Sequence, residues 1–220
     1  MNAVGSIVLA SSPAVGPLAL QRLAEALRRR GVTVATPRAE PDVGSYVDAA
    51  SAEPPPDVLV GYSAGGPRLF AVAARLAPQA IVFMDAGLPR DGAAPDGDPA
   101  MGALLDRLPV DDGGSLPAWT DWWTPEVVER LCPDRSSWAR LAADCPRLPR
   151  SVYSQPIPAP PYDGPCGYLA FGPAYANAVA DAARLGWPIR VLEGFSHLAP
   201  FVAPEVVADE LLALSARLLA

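Results

Sequence analysis

Short apolar runs alternate with amphipathic stretches of helical period along most of this chain, and that rhythm restricts it to a parallel α/β architecture. Residues 5–10 read as a buried strand. In residues 17–30, Leu18, Leu20, Leu23, Ala24 and Leu27 then recur at helical spacing, with Pro17 suited to the first turn and Gly31 to the exit. Further strands are expected at 32–35, 57–61, 80–85, 167–172 and 189–193, and helices at 42–52, 65–76, 173–185 and 203–219. The runs are continuously apolar, as strands covered on both faces require. The sequence therefore predicts a six-stranded, mostly parallel sheet with flanking helices, formed by residues 1–220 as a single domain.

The rhythm breaks once. An insertion at about 88–165 is rich in Pro, Gly and Asp, with modest helical pieces near 125–132 and 136–144. It carries four of the five tryptophans, Trp119, Trp122, Trp123 and Trp138, and leaves the sheet at its C-terminal edge. Such a segment is expected to cap a site there, excluding water and shaping a pocket.

Composition removes several chemistries. All 17 basic residues are arginine, so no Schiff-base or P-loop lysine exists. A single histidine, His197, excludes multi-histidine metal sites. The net charge of −7, with no basic block, offers no electrostatic footprint for nucleic acid. No apolar stretch approaches the ~18–20 residues of a membrane span. Cys132, Cys145 and Cys166 form no C-x-x-C pair and read as reduced packing residues. With no basic segment ahead of the first strand, a cytoplasmic location is expected.

The most informative motif is Gly61-Tyr62-Ser63-Ala64-Gly65-Gly66, a G-x-S-x-G set between a strand and a helix. A sharp strand-to-helix turn strains the serine backbone and crowds the residues two positions either side, which glycine relieves. The turn lifts Oγ above the sheet edge and turns the Ala64 amide toward a developing oxyanion. A nucleophilic serine needs a base. His197, in the loop after the last predicted strand, falls on that same edge.

These residues, with Val82-Phe83-Met84-Asp85-Ala86-Gly87-Leu88-Pro89 and Cys166-Gly167-Tyr168-Leu169, resemble the α/β-hydrolase superfamily, and more narrowly its compact actinobacterial-type members. The resemblance covers most of residues 5–90 and 165–220. It implies a minimal α/β-hydrolase fold and a Ser-His-acid triad, without naming a substrate. Three departures stand out. The loop after the penultimate strand, Gly172-Pro173-Ala174-Tyr175-Ala176-Asn177, has no carboxylate. Asp85, 22 residues after Ser63, is the alternative acid, with Glu193 and Asp181 as weaker candidates. Tyr62 replaces a common histidine, its hydroxyl free to touch the pocket or its ring to pack. Ser11-Ser12-Pro13 replaces the usual oxyanion loop; Pro13 has no N–H, so Ser11 or Ser12 would have to donate.

The expected activity is therefore a serine hydrolase acting on an ester, thioester or lactone of a hydrophobic small molecule, with no cofactor and no metal. Ser63, His197 and Asp85 form its catalytic set. Ala64, Ser11, Ser12, Tyr62, Trp119, Trp122 and Trp123 serve the oxyanion or substrate. The tryptophans could equally fasten the insertion to the core. Arg68 and Arg90 could meet an anionic group, though each reads as a solvated cation. The expected partner is a small acyl compound, with no nucleic acid and no membrane, and the chain acts as a monomer or homodimer. One alternative is non-hydrolytic chemistry at the same site (cyclase, epimerase, dehydratase or lyase), and another is a silent binding protein.

Overall fold

The computed structural model describes residues 4–220. In chain order the domain runs β1 (Ser6–Ala10), α1 (Leu18–Arg29), β2 (Thr33–Ala35), α2 (Val43–Ser51), β3 (Val58–Ser63), α3 (Leu69–Leu76) and β4 (Ala80–Ala86). The insertion follows, with α4 (Pro99–Leu105), α5 (Pro125–Leu131) and α6 (Arg135–Asp144). The chain then resumes with β5 (Cys166–Ala170), α7 (Ala176–Arg184), β6 (Ile189–Val191), α8 (Ala199–Val202) and α9 (Pro204–Leu218). The six strands form one sheet in the order β2-β1-β3-β4-β5-β6, and every neighbouring pair is parallel.

The two faces of the sheet sort by strand alternation. Ile7, Leu9, Val58, Val60 and Met84 face one core with Leu20, Leu23 and Leu27 of α1 and Leu211 and Leu214 of α9. Val8, Leu59, Ile81 and Phe83 face the other, against Val47 of α2 and Leu69, Val72 and Leu76 of α3. Burying each such leucine contributes about 1.5–3 kcal/mol, so helices of ordinary propensity are held mainly by their apolar stripes.

The insertion is an extension of the first core. Leu105, Leu116, Trp119, Leu141, Leu148, Val152 and Tyr153 all join it. The sequence foresees α5 and α6, but not α4 or the 3-10 turns at Trp119–Trp122 and Arg150–Ser154. α4 is started by Asp98, whose carboxylate accepts from the amides of Ala100 and Met101 at 3.0 Å, with Pro99 in the first turn. The helix expected at 65–76 begins instead as a 3-10 turn at Gly66–Arg68. The cysteines are free, and burial pushes the Cys166 thiol up to about 12, leaving it inert. Among the described residues no helix is long and apolar enough to cross a membrane.

Candidate active site

β3 ends in the bend that carries Ser63, whose φ of 57° lies in the left-handed region. Close packing explains the glycines beside it. A Cβ at Gly61 would stand 2.6 Å from the Leu69 side chain, and one at Gly65 would stand 2.4 Å from the Ala10 carbonyl oxygen. The elbow is thus pressed directly onto the end of β1. Ser63 is buried, and the bend brings it out at the C-terminal sheet edge.

β4 has a matching irregularity. Tyr62 pairs with Met84 and Ser63 with Ala86, so Asp85 is an extra residue in β4 with φ 43°. Aspartate tolerates that conformation better than most residues. Tyr168 of β5 fastens the bulge: its hydroxyl donates to the Ala86 carbonyl at 2.6 Å and accepts from the Ala86 amide at 3.0 Å. Asp85 is almost fully buried, and both its oxygens have partners. Oδ1 accepts from the Phe171 amide at 3.0 Å, and Oδ2 lies 2.6 Å from Nδ1 of His197. The other acid candidates lie elsewhere. Asp181 pairs with Arg90 and Arg184, and Glu193 is exposed.

Tyr62 corrects an expectation. It is completely buried, so its hydroxyl does not reach a pocket. That hydroxyl donates to the His197 carbonyl at 2.7 Å, while its ring stacks on the imidazole with centroids 4.8 Å apart and planes 18° from parallel. The residue before Ser63 therefore supports the histidine. Ser196 ties the same loop to the insertion, its hydroxyl donating to the Leu131 carbonyl at 3.0 Å.

Ser63 Oγ is hydrogen-bonded to the Tyr175 hydroxyl at 3.3 Å, and among the described residues no hydrogen bond joins it to His197. Tyr175 comes from the loop after β5 and stands with its ring centroid 5.5 Å from that of the imidazole. Burial pushes its hydroxyl up to about 12, so it is neutral at ordinary pH. Serine, imidazole and phenol thus form one compact group in which the phenol holds the serine. The sequence reading missed Tyr175 and Tyr168. Their signal was a phenol in a buried strand and another in the loop that lacked a carboxylate.

Ser11 and Ser12 follow β1 and are buried against the elbow. The Ser11 carbonyl accepts from the Tyr46 hydroxyl at 2.7 Å, and Ser12 Oγ accepts from the Ala14 amide at 3.1 Å. Among the described residues, the amides of Ser11, Ser12 and Ala64 donate to no protein acceptor. Pro13 contributes none.

The insertion closes over this group. Trp119 lies with its ring 6.1 Å from the imidazole and edge-on to Trp123 at 5.4 Å; Trp122 packs on Trp123 and Tyr153. Trp119 therefore fastens the cap and walls the site at once, while Trp122 and Trp123 stand behind it. The large surface depression of about 460 Å³ lies elsewhere, between Phe70, Leu88 and Trp187, and includes neither Ser63, Asp85 nor His197.

Arg90 is exposed and pairs with Asp181 at 3.2 Å. Arg68 corrects the other expectation: it is 2% exposed, not solvated. Its guanidinium donates to the Ala64 carbonyl at 2.6 Å and lies 5.2 Å from the Tyr46 ring centroid.

No protein-family model matches this chain, and no curated protein sequence does. Solved structures match over nearly its whole length. An extracellular α/β-hydrolase from a Paenibacillus species, described as sharing homology with tobacco salicylic acid binding protein 2, aligns at 18% identity over 96% of this chain and 98% of its own, with TM-score 0.74. Tomato methylketone synthase I aligns at 12% identity over 98% and 99%, with TM-score 0.74. The pyrethroid hydrolase PytH aligns at 19% identity over 97% and 98%, with TM-score 0.71. Six parallel strands in this order, a bend bearing the serine at the end of the third and agreement with these structures across both sheet and insertion give the chain the α/β-hydrolase fold.

Proposed function

We propose that this chain is a serine hydrolase acting on an ester, thioester or lactone of a hydrophobic small molecule. The observation that carries the reading is the pairing of the partly buried His197 with the buried Asp85, 2.6 Å apart, at the sheet edge where Ser63 occupies its left-handed bend. Asp85 accepts a hydrogen bond from Nδ1–H, which keeps the proton there and leaves the Nε2 lone pair to take the proton of Ser63. Ser63 exchanges Tyr175 for the imidazole as it attacks, because catalytic hydrogen bonds in ligand-free sites commonly tighten only with substrate bound. The Ala64 amide and that of Ser11 or Ser12 receive the oxyanion, each such donor being worth ~10²–10³ in rate. His197 then returns the proton to the leaving group, and water repeats the sequence on the acyl-enzyme. The apolar wall formed by Trp119 favours an apolar substrate, and the likeness to a pyrethroid hydrolase supports hydrolysis. The proposed setting is cytoplasmic, with the chain acting as a monomer or homodimer.

A fluorophosphonate probe tests the activated serine. Mass spectrometry is expected to find one adduct, on Ser63, absent from Ser63→Ala. No adduct on folded protein would refute the reading. Tyr175→Phe removes the competing partner of Ser63. A neutral hydrogen bond is worth about 1 kcal/mol, so labelling is expected to speed up roughly fivefold. A slower reaction would assign Tyr175 a supporting role instead.

The Tyr175 contact also favours a second reading, in which the site performs non-hydrolytic proton transfer with His197 alone. Turnover that survives Ser63→Ala and disappears in His197→Ala would select it.

A further inference from the structure

A charged side chain buried beside the nucleophile has no counter-charge. Arg68 is 2% exposed, and its only acceptor among the described residues is the Ala64 carbonyl. Among the described residues its Nε–H has no partner, and no carboxylate forms an ion pair with it. A guanidinium remains charged in a protein, so the charge is carried into the interior at a substantial desolvation cost. Most buried arginines are met by a carboxylate. This one is not.

Arg68 faces a cavity of about 40 Å³ next to Ala64. Pro13, Met101, Leu148 and Val152 give it apolar walls from the β1 loop and the cap. Tyr153 also lines it, and its hydroxyl is buried and without a partner. Two residues that each carry a buried, unpartnered donor thus border one small, mostly apolar space. At ~10–15 Å³ for each water-sized position, the space suits about three heavy atoms, the number in a carboxylate.

We propose that this cavity binds a carboxylate carried on the acyl part of the substrate, held by Arg68 with the Tyr153 hydroxyl. The planar fork of arginine matches a carboxylate, and the apolar walls strengthen a charge-assisted bond. The acyl part is the portion within reach, because its carbonyl is the group that the Ala64 amide serves. The substrate class narrows to esters, thioesters or lactones of dicarboxylic or similar acyl acids, apolar elsewhere. This deepens the hydrolase reading and rests on it for the reaction, though not for the binding of the anion.

Two measurements test it. The first compares kcat/KM for methyl hydrogen succinate and methyl butyrate, followed by acid release; the two differ in a carboxylate replacing the terminal methyl. Arg68→Met is expected to lower the ratio of acidic to neutral ester about thirtyfold. The second measures succinate binding by calorimetry and thermal shift in Ser63→Ala protein, where no turnover is needed. Adding Arg68→Met there is expected to weaken binding at least tenfold. If Arg68→Met does not fold, Arg68→Lys and Tyr153→Phe decide: each is expected to weaken succinate at least threefold, and undiminished affinity in both overturns the proposal. Two further results would also overturn it: no succinate binding to Ser63→Ala, or acetate and chloride binding there while the ester ratio ignores Arg68. If succinate binds through Arg68 but neither ester is cleaved, the anion site stands and the hydrolase reading fails. If both esters are cleaved and Arg68→Met changes neither ratio nor affinity, the anion site fails alone.

Discussion

Ser63→Ala, His197→Ala and the double variant are expected to lose the same activity, ~10⁵–10⁶-fold in kcat toward a chromogenic ester. A nucleophile and its base act as one unit, so removing the second member of a disabled pair removes little more. What survives is the contribution of binding and of the oxyanion amides, ~10³–10⁴ over water. The test of the proposed base is unusually clean in this chain: His197 is its only histidine, so no neighbouring imidazole can substitute. The fold is expected to tolerate both changes. Alanine at 63 keeps the same backbone strain that serine bears at φ 57°, and costs a single 3.3 Å hydrogen bond to Tyr175. Alanine at 197 keeps the carbonyl that the Tyr62 hydroxyl reaches but leaves Oδ2 of the buried Asp85 without its partner, so that variant is expected to lose some stability as well. Single losses near tenfold, or losses that multiply in the double variant, would mean that the two residues do not share a step.

The sheet was legible because its strands are covered on both sides and so appear as uninterrupted apolar runs. The expected strand at 80–85 forms as Ala80–Ala86, and the helix at 17–30 as Leu18–Arg29. The elbow was legible for a steric reason, since Gly61 and Gly65 sit where a Cβ would collide with Leu69 and Ala10. The order of neighbours inside the site was not legible. Ser63 bonds to Tyr175 because a loop with no carboxylate delivers a buried phenol that requires a partner, which depends on tertiary packing alone. Tyr62 turns inward to stack on His197 for the same kind of reason. Arg68 shows the limit most clearly. In the sequence it is one more arginine of a helical turn, and nothing local says that Tyr46, Tyr153 and the cap will bury it. The insertion was expected from its position to lie over the sheet edge, and its Trp119 ring stands 6.1 Å from the imidazole. Its α4 was hidden by a proline-rich context, in which the helix depends on the Asp98 cap.

Asp85→Asn is expected to lower kcat about 10⁴-fold while leaving the protein folded, and the hydrogen bonds around Asp85 dictate why. Asparagine is among the residues that best tolerate positive φ, so the bulge at φ 43° can keep its shape. The Phe171 amide donates to Oδ1, which fixes the amide oxygen of the new side chain in that place. Its NH₂ group is then turned toward Nδ1 of His197, where Oδ2 stood at 2.6 Å. A donor facing Nδ1 forces that nitrogen to accept, moving the ring proton to Nε2, and an Nε2–H cannot receive the proton of Ser63. Loss of the carboxylate also removes the charge that stabilises the imidazolium in the transition state. With one histidine in the chain, ¹⁵N NMR of the imidazole reads the tautomer without assignment: Nδ1–H in the parent and Nε2–H in the variant. Asp85→Ala makes the useful contrast, because it strands the Phe171 amide and His197 Nδ1 together and is expected to lose stability as well as rate. An Asp85→Asn protein that keeps its Nδ1–H tautomer, or activity within tenfold of the parent, would remove Asp85 from the catalytic set.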